Sequence, residues 1–156
     1  MRHIKRTLFV GLLVLATMGG AGAAFADEIV ATVNNAKSGE PVGGAVVFAM
    51  PRGGAPSLTV RSAKVDQVNK EFVPHVTVVP LNTPVSFPNS DNISHHVYSL
   101  SETKRFELPL YSGTPSRPVL FDTPGPVALG CNIHDWMSAY IYVTPTPYYA
   151  FTDAKG

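Results

Sequence analysis

Proline and glycine interrupt this sequence so often that an ordinary helix has no room between them. The 156 residues include 14 prolines and 13 glycines, and within residues 27–156 no stretch of about ten residues carries apolar side chains at helical spacing. The segments between these breaks are short and rich in valine, isoleucine, phenylalanine and tyrosine, which is typical of strands. The pattern therefore predicts an all-β fold, a sandwich or barrel of about eight to ten short strands.

The predicted strands share this composition, and each ends at a turn signal. Their ranges are 29–34, 42–50, one or two weak strands within 57–68, 76–80, 85–87, 95–100, 105–108, 118–121, 126–131 and 138–143. A turn over 82–84 is expected to close the strand at 76–80. The proline- and tyrosine-rich tail, residues 145–156, is expected to pack on the sandwich.

The first 26 residues have the layout of a secretory signal peptide. Arg2, Lys5 and Arg6 precede an uncharged apolar run over 8–18, and Ala24-Phe25-Ala26 offers small residues at the positions that a signal peptidase reads. The run is shorter than the ~20 residues that cross a bilayer, so a cleaved leader is favoured over a retained membrane anchor. Cleavage after Ala26 and residence in the periplasm are therefore predicted.

Removal of residues 1–26 would leave residues 27–156, which suffice for one hydrophobic core but not for two domains. The remaining 12 − 3 = 9 lysines and arginines stand against 11 aspartates and glutamates, a balance of −2. No basic stripe is present, so nucleic acid is not an expected partner. We expect a single-domain monomer without stable membrane insertion after cleavage.

Cys131 is the one cysteine of this chain. It cannot form a disulfide within the chain, so in an exported protein it pairs with another chain, stays buried as a thiol or holds a metal. His134 and Met137 follow it at the third and sixth positions. Thiolate, imidazole and thioether ligands suit copper, above all copper that visits the Cu(I) state. Zinc is the alternative for the Cys-x-x-His pair.

A further ligand has to come from another part of the chain. His95 and His96 open a predicted strand, and adjacent strand residues point to opposite faces of a sheet. Only one of the two can therefore face a buried metal. His75 is expected not to bind.

Two segments resemble the cupredoxins, the family of blue copper proteins. They are Asn89-Ser90-Asp91 with His95-His96-Val97-Tyr98-Ser99, and Cys131-Asn132-Ile133-His134-Asp135-Trp136-Met137. The second segment is similar to the short ligand loop of amicyanin and pseudoazurin. Residues 66–153 are also similar to small exported bacterial proteins of the plastocyanin-like and methylamine-utilisation groups. The resemblance implies a Greek-key sandwich with a type 1 copper ion near one end.

The resemblance also implies a division of the mature chain. Residues 66–144 would form the copper-binding core and residues 145–156 the tail. Residues 27–65 match only as an extra N-terminal β region, and no function is carried onto them.

Four copper ligands follow from the same resemblance: His95, Cys131, His134 at the exposed edge, and Met137 as the weak axial thioether. Members of the family usually have asparagine after the first histidine, and its side chain ties the two ligand loops together. Here His96 occupies that position, so its imidazole makes the tie or the tie is lost. His96 is also the alternative to His95 as a ligand.

These implications predict a periplasmic carrier of single electrons that binds one copper ion. The expected partner is a redox protein such as a c-type cytochrome or a dehydrogenase. A copper-binding or copper-delivery protein without electron transfer is the alternative, and a sandwich whose site takes zinc or stays unused is a third possibility. No enzymatic activity is expected. An oxygen-reducing copper centre needs several histidine pairs, and the sequence has one pair, His95-His96. A dinuclear copper centre of the cytochrome-oxidase kind needs two cysteines, and the sequence has one.

Overall fold

The computed structural model describes residues 10–12, 28–54, 56–115 and 117–156, and these residues form strands and irregular segments but no helix. The strands are β1 (Val10–Leu12), β2 (Ala31–Val33), β3 (Val46–Phe48), β4 (Ala63–Lys64), β5 (Asp66–Val68), β6 (Glu71–Val73), β7 (Val76–Pro80), β8 (Thr83–Ser86), β9 (His95–Ser101), β10 (Lys104–Tyr111), β11 (Val119–Phe121), β12 (Gly125–Gly130), β13 (Ser138–Thr144) and β14 (Tyr149–Phe151). Over the described ranges, nothing helical has the length and apolar character that crossing a bilayer requires. The predicted all-β class is confirmed.

The chain divides into two compact units, and the smaller combines the described residues of Met1–Phe48 with Tyr149–Gly156. We call it the terminal unit. In it β1 pairs antiparallel with β2, and β3 pairs antiparallel with β14. The Thr152 hydroxyl braces this unit, because it donates to the carbonyl of Val42 at 2.6 Å and accepts from the N–H of Ala45 at 3.0 Å.

The larger unit, Ala49–Tyr148, contains two main sheets, and we call it the central unit. Five strands in the order β10-β9-β12-β13-β7 form its larger sheet, in which β7 and β13 run parallel and the other neighbours run antiparallel. Three strands in the order β11-β8-β4 form the smaller sheet, with β4 parallel to β8. β5 and β6 form a separate antiparallel hairpin.

One hydrophobic core lies between the two sheets of the central unit. Its buried side chains come from both, for example Val85 from β8 and Val127 and Ile141 from β12 and β13. Phe106 of β10 and Phe121 of β11 meet edge to face, with ring centroids 6.0 Å apart. Two sheets that bury apolar side chains against each other form a sandwich, as the sequence predicts.

Among the described residues after the predicted leader, two strands lie where the sequence predicts none. β6 holds one buried apolar side chain, Phe72, and the turn before it places Asn69 and Lys70 at φ 54° and 61°. This two-residue turn lacks the Asn-Gly signature that makes such hairpins visible in a sequence. β14 lies in the tail, where Tyr149 and Phe151 are exposed and leave no alternation of buried and exposed positions to detect.

The predicted turn at 82–84 is wrong in position, because β8 already begins at Thr83. The tight turn lies at Leu81 and Asn82, and Asn82 adopts φ 67°. Pro84 is part of the strand and lies opposite Leu120 of β11. Proline has no N–H to donate, so it is compatible with a strand only where the ladder does not need that donor.

The predicted leader, residues 1–26, lies mostly outside the described residues. Only Val10–Leu12 of it are described, as β1. The leader and the assignment of residues 27–156 to a single domain therefore remain predictions.

Candidate metal centre

Strand alternation brings two sulfur-bearing residues to the core. In the antiparallel pair β12–β13, the buried Leu129 lies opposite the buried Ala139. Cys131 lies two positions after Leu129, and Met137 lies two positions before Ala139. Side chains at alternate positions face the same side of a sheet, and accordingly both Cys131 and Met137 are buried.

The strand β9 brings His95 to the same end of the larger sheet. β9 and β12 are antiparallel neighbours, with Tyr98 opposite Gly130, so the start of β9 lies beside the end of β12. His95 shares its inward face with Val97, and its exposed fraction is 0%. It therefore lies where Cys131 leaves β12.

His95, Cys131 and His134 form a group that could hold one metal ion. One ligand atom from each residue lies within 4.8 Å of the other two, and the two imidazole rings meet edge-on with centroids 5.1 Å apart. Nδ1 of His95 and Nδ1 of His134 are buried and have no hydrogen-bond partner among the described residues. Buried polar atoms without partners are costly, and a shared metal ion would satisfy both nitrogens.

Met137, the fourth predicted ligand, is buried in the same core cluster as Cys131. Its backbone N–H donates to the carbonyl of His134 at 2.9 Å. This bond closes the turn that leads from the ligand loop, residues 131–137, into β13. Axial ligation by the Met137 thioether remains a prediction.

The sulfur of Cys131 accepts a hydrogen bond from the backbone N–H of Ile133, with an N to Sγ distance of 3.5 Å. Hydrogen bonds to a cysteine sulfur are one means by which a protein tunes a copper site. The loop therefore positions the sulfur and also gives it a hydrogen-bond donor.

Tyr111 lies opposite His95 in the β9–β10 pair. Burial, aided by nearby Asp66 and Cys131, raises the pKa of Tyr111 to about 12. Its phenol therefore stays protonated at neutral pH, donates to the carbonyl of Phe87 at 2.6 Å and accepts from Nε2 of Gln67 at 2.6 Å. These bonds fix the wall of the site.

Asp91 contacts the outer nitrogen of His95. Its Oδ2 lies 2.7 Å from Nε2 of His95, and its carboxylate also accepts the N–H groups of Asn69 at 2.6 Å and Lys70 at 2.9 Å. Burial opposes ionisation, but these hydrogen bonds outweigh it and lower the pKa of Asp91. A charged acceptor at Nε2 leaves Nδ1 as the nitrogen that faces Cys131.

His96 is held in a different contact from His95. Its Nε2 lies 2.8 Å from Oε1 of Glu107 on β10, and its ring centroid lies 5.6 Å from that of Tyr98. Nδ1 of His96 has no partner within the described part of the chain. The structure thus groups His95 with Cys131, and no hydrogen bond of His96 to the ligand loop is found among the described residues.

Trp136 lies at the surface beside His134. The two ring centroids are 5.0 Å apart with an angle of 58° between the ring planes, and 65% of Trp136 is exposed. Ile133 of the same loop is also exposed. The half-buried His134 therefore connects the buried Cys131 side of the group with an apolar surface.

Comparisons with solved structures find the same architecture. A region covering 63% of this chain matches 25% of the chain of a copper-containing nitrite reductase from Thermus scotoductus SA-01, with 24% identity and a TM-score of 0.50. Other matches include an amicyanin variant in its reduced Cu(I) form (17% identity, 53% of this chain, 82% of that chain, TM-score 0.47). A purple cupredoxin from Nitrosopumilus maritimus also matches (19% identity, 53% and 99%, TM-score 0.46).

No protein-family model matches the sequence, and no curated protein sequence matches it. At the identities found, the structural likeness concerns the fold alone, and the nitrite reductase match spans only a quarter of that protein. The predicted resemblance to cupredoxins is confirmed at the level of fold, whereas the link to methylamine-utilisation proteins remains a prediction. The chain thus has a cupredoxin-like fold that carries, at one end of its larger sheet, a His–Cys–His group able to hold one metal ion.

Proposed function

We propose that the protein binds one copper ion in a type 1 site and carries single electrons between redox partners. The observation that carries this proposal is the convergence of the Cys131 thiol with the imidazoles of His95 and His134, each of which has a buried Nδ1 without a hydrogen-bond partner among the described residues. Thiolate and imidazole together form a donor set that copper prefers. We propose Met137 as the fourth, axial ligand.

Bound copper would supply a one-electron Cu(II)/Cu(I) couple, so that a donor protein is oxidised by one electron and an acceptor is reduced by one. His95 and Cys131 hold the inner side of the site from two neighbouring strands. A hydrogen-bonded sheet resists displacement of these residues between the two states. His134 is half-buried and lies beside the exposed Trp136, so it offers a route for an electron from the surface.

Burial favours a carrier over a delivery protein. The exposed fraction is 0% for His95 and 4% for Cys131, so an incoming acceptor of copper would find two of the ligands covered. Exchange of the ion would require the site to open. We therefore propose that the ion stays while electrons pass.

We propose the periplasm as the location, following cleavage of the predicted leader. The partner would be a c-type cytochrome or a dehydrogenase that meets the exposed surface around Trp136 and Ile133. Encounters between redox proteins are typically weak and small in area. We propose no enzymatic activity, and that of the nitrite reductase is not carried over from a shared fold.

Replacement of the thiolate tests the proposal most directly. We expect the copper-loaded protein to absorb intensely near roughly 600 nm through charge transfer from thiolate to copper. Cys131→Ser should remove that band, because a serine oxygen cannot replace the sulfur in this transition. An optical spectrum of each protein after addition of one equivalent of Cu²⁺ measures the effect.

The histidines provide a matched control. His134→Gln should weaken or shift the band, whereas His75→Gln should leave it unchanged, because the ring of His75 packs against Tyr140 and is not part of the metal group. The absence of any intense visible band in the wild-type copper protein would reject a type 1 site. Equal spectra for the two histidine variants would reject His134 as a ligand.

Kinetics separate the carrier from a delivery protein. Slow loss of copper to a chelator together with fast electron self-exchange supports the carrier. Rapid transfer of copper with slow self-exchange would support delivery instead.

A further inference from the structure

Asp91 joins the candidate metal group to a hairpin that contributes no ligand. Its Oδ1 accepts a hydrogen bond from the backbone N–H of Asn69, and its Oδ2 accepts one from the backbone N–H of Lys70. The same Oδ2 also lies within hydrogen-bond distance of Nε2 of His95. Asn69 and Lys70 form the turn between β5 and β6. Three donors from two parts of the chain therefore converge on one carboxylate.

The carboxylate itself is held in place from its own side. The backbone N–H of Asp91 donates to Oδ1 of Asn89 at 3.0 Å. The amide of Asn89 donates in turn to the carbonyls of Ile93 and Tyr111 at 2.8 and 3.0 Å. The loop from β8 to β9 thus has little freedom to withdraw Asp91 from His95.

The contact decides which nitrogen of His95 can carry a proton. A carboxylate only accepts hydrogen bonds, so Nε2 must be the protonated nitrogen when the ring is neutral. Nδ1 then has a free lone pair, and it is this buried nitrogen that has no hydrogen-bond partner within the part of the chain that the structure describes. A carboxylate that contacts the outer nitrogen of a metal-binding histidine orients the ring and makes it a stronger ligand.

We propose that Asp91 is a positioning residue that holds His95 with Nδ1 free for copper and links this ligand to the β5–β6 turn, an inference that rests on the proposed copper site. The negative charge opposite the ligand makes the imidazole a stronger donor. A stronger donor favours Cu(II) over Cu(I), so Asp91 also lowers the reduction potential of the site.

The first test uses metal-free protein and so does not depend on the proposed function. The ¹⁵N chemical shifts of His95 are measured at about pH 8.5, where a free imidazole is neutral. We expect protonation at Nε2 alone in the wild type. We expect Asp91→Ala to yield a mixture of both tautomers, because it removes the acceptor.

Asp66→Ala is the matched control. Asp66 likewise accepts a backbone N–H, that of Gln67 at 2.8 Å, and a side-chain donor, the hydroxyl of Ser90 at 2.9 Å. It also belongs to the same hairpin, but it has no contact with His95 among the described hydrogen bonds. The tautomer of His95 should therefore be unchanged in this variant.

The second test measures Cu²⁺ affinity and reduction potential. Loss of a residue that hydrogen-bonds to a metal ligand typically costs about 10–100-fold in metal affinity, and we expect that loss for Asp91→Ala together with a higher reduction potential. The Cu²⁺ affinity of Asp66→Ala should stay within about twofold of the wild-type value, a much smaller change than the loss expected for Asp91→Ala.

Three results would overturn the role of Asp91. They are protonation of His95 at Nδ1 in the wild-type protein, an unchanged tautomer in Asp91→Ala, and equal Cu²⁺ affinities in the two aspartate variants. The wild-type measurement decides the matter even if Asp91→Ala fails to fold. If the tautomers behave as expected but no copper binds, the positioning role stands and the copper function fails.

Discussion

Gly130, the residue before Cys131, has the ring of Tyr98 against its α-carbon. A Cβ at this position would lie 2.7 Å from Cζ and 2.8 Å from Oη of Tyr98, closer than side chains approach. Tyr98 and Gly130 are also the paired positions that join β9 to β12. A glycine here lets the strand that carries His95 approach the strand that leads to Cys131.

We expect Gly130→Ala to destabilise the protein by about 1–3 kcal/mol, the usual cost of overpacking a filled site. The added methyl group must displace the Tyr98 ring or push β9 from β12, so the visible band of the copper protein should shift as well. Denaturant unfolding monitored by fluorescence measures the stability.

Gly53→Ala provides the control for this prediction, because a Cβ there meets nothing within 4 Å. Removal of the ring by Tyr98→Ala should reduce the cost of Gly130→Ala, since the clash then has no partner. Equal stabilities of the two glycine variants would contradict the prediction, because they would show that the Tyr98 ring can move aside without a cost in stability.

At the residue scale, the sequence predicts the proposed metal ligands better than it predicts the residues that hold them in place. Cys131, His134 and Met137 are close in sequence, and their combined spacing indicates a metal site. Asp91 stands four positions before His95, but its contact depends on a loop conformation that no spacing encodes. The Tyr98–Gly130 contact joins distant positions and has no sequence signal at all.

At the element scale, the two sheets are held together by an aromatic cluster. Phe87, Phe106 and Phe121 contact one another with ring centroids 5.5 to 6.4 Å apart. Phe121 lies on the short strand β11 of the smaller sheet, and its exposed fraction is 0%. Its ring therefore links the smaller sheet to β10 of the larger sheet.

We expect Phe121→Ala to destabilise the protein by about 3–5 kcal/mol, because it leaves a cavity between the sheets. Leu120→Ala on the same strand should change stability by no more than about 0.5 kcal/mol, since Leu120 is half exposed. Thermal and denaturant unfolding of both variants measure the difference. Similar losses for the two neighbours would contradict a core position for Phe121.

The elements that the sequence predicts well are those whose alternation is regular. β12 and β13 alternate buried and exposed side chains along most of their length, and both are predicted within one residue or so at each end. β6 is missed because the turn before it, at Asn69 and Lys70, lacks the Asn-Gly signature, and β14 is missed because all three of its residues are exposed and show no alternation. β4 consists of two residues, too few for any periodicity to show.

At the scale of the whole molecule, cleavage of the predicted leader would set the N-terminal residue of the exported protein. We expect protein recovered from the periplasm to start at Asp27, because the small residues at Ala24 and Ala26 suit a signal peptidase. Intact mass spectrometry of the exported protein measures the start. Ala26→Tyr should retain the leader, and an uncleaved wild-type protein in the membrane fraction would refute the prediction.

Cleavage there would remove β1, which pairs with β2 in the terminal unit. The backbone groups of Ala31–Val33 that face β1 would then be open to water. The ligand-bearing strands all belong to the central unit, so the proposed site contains no residue that this cleavage removes.

The pair Gly130–Ser138 is the last one that joins β12 to β13, and the seven residues 131–137 between them include three of the four proposed ligands. The sheet ends where the coordinating segment starts and resumes where it stops. An insertion or deletion in that segment would alter the spacing of sulfur and imidazole while the strand register stayed as it is. We therefore expect changes in the length of this segment to retune the metal chemistry while the paired strands on either side stay unchanged.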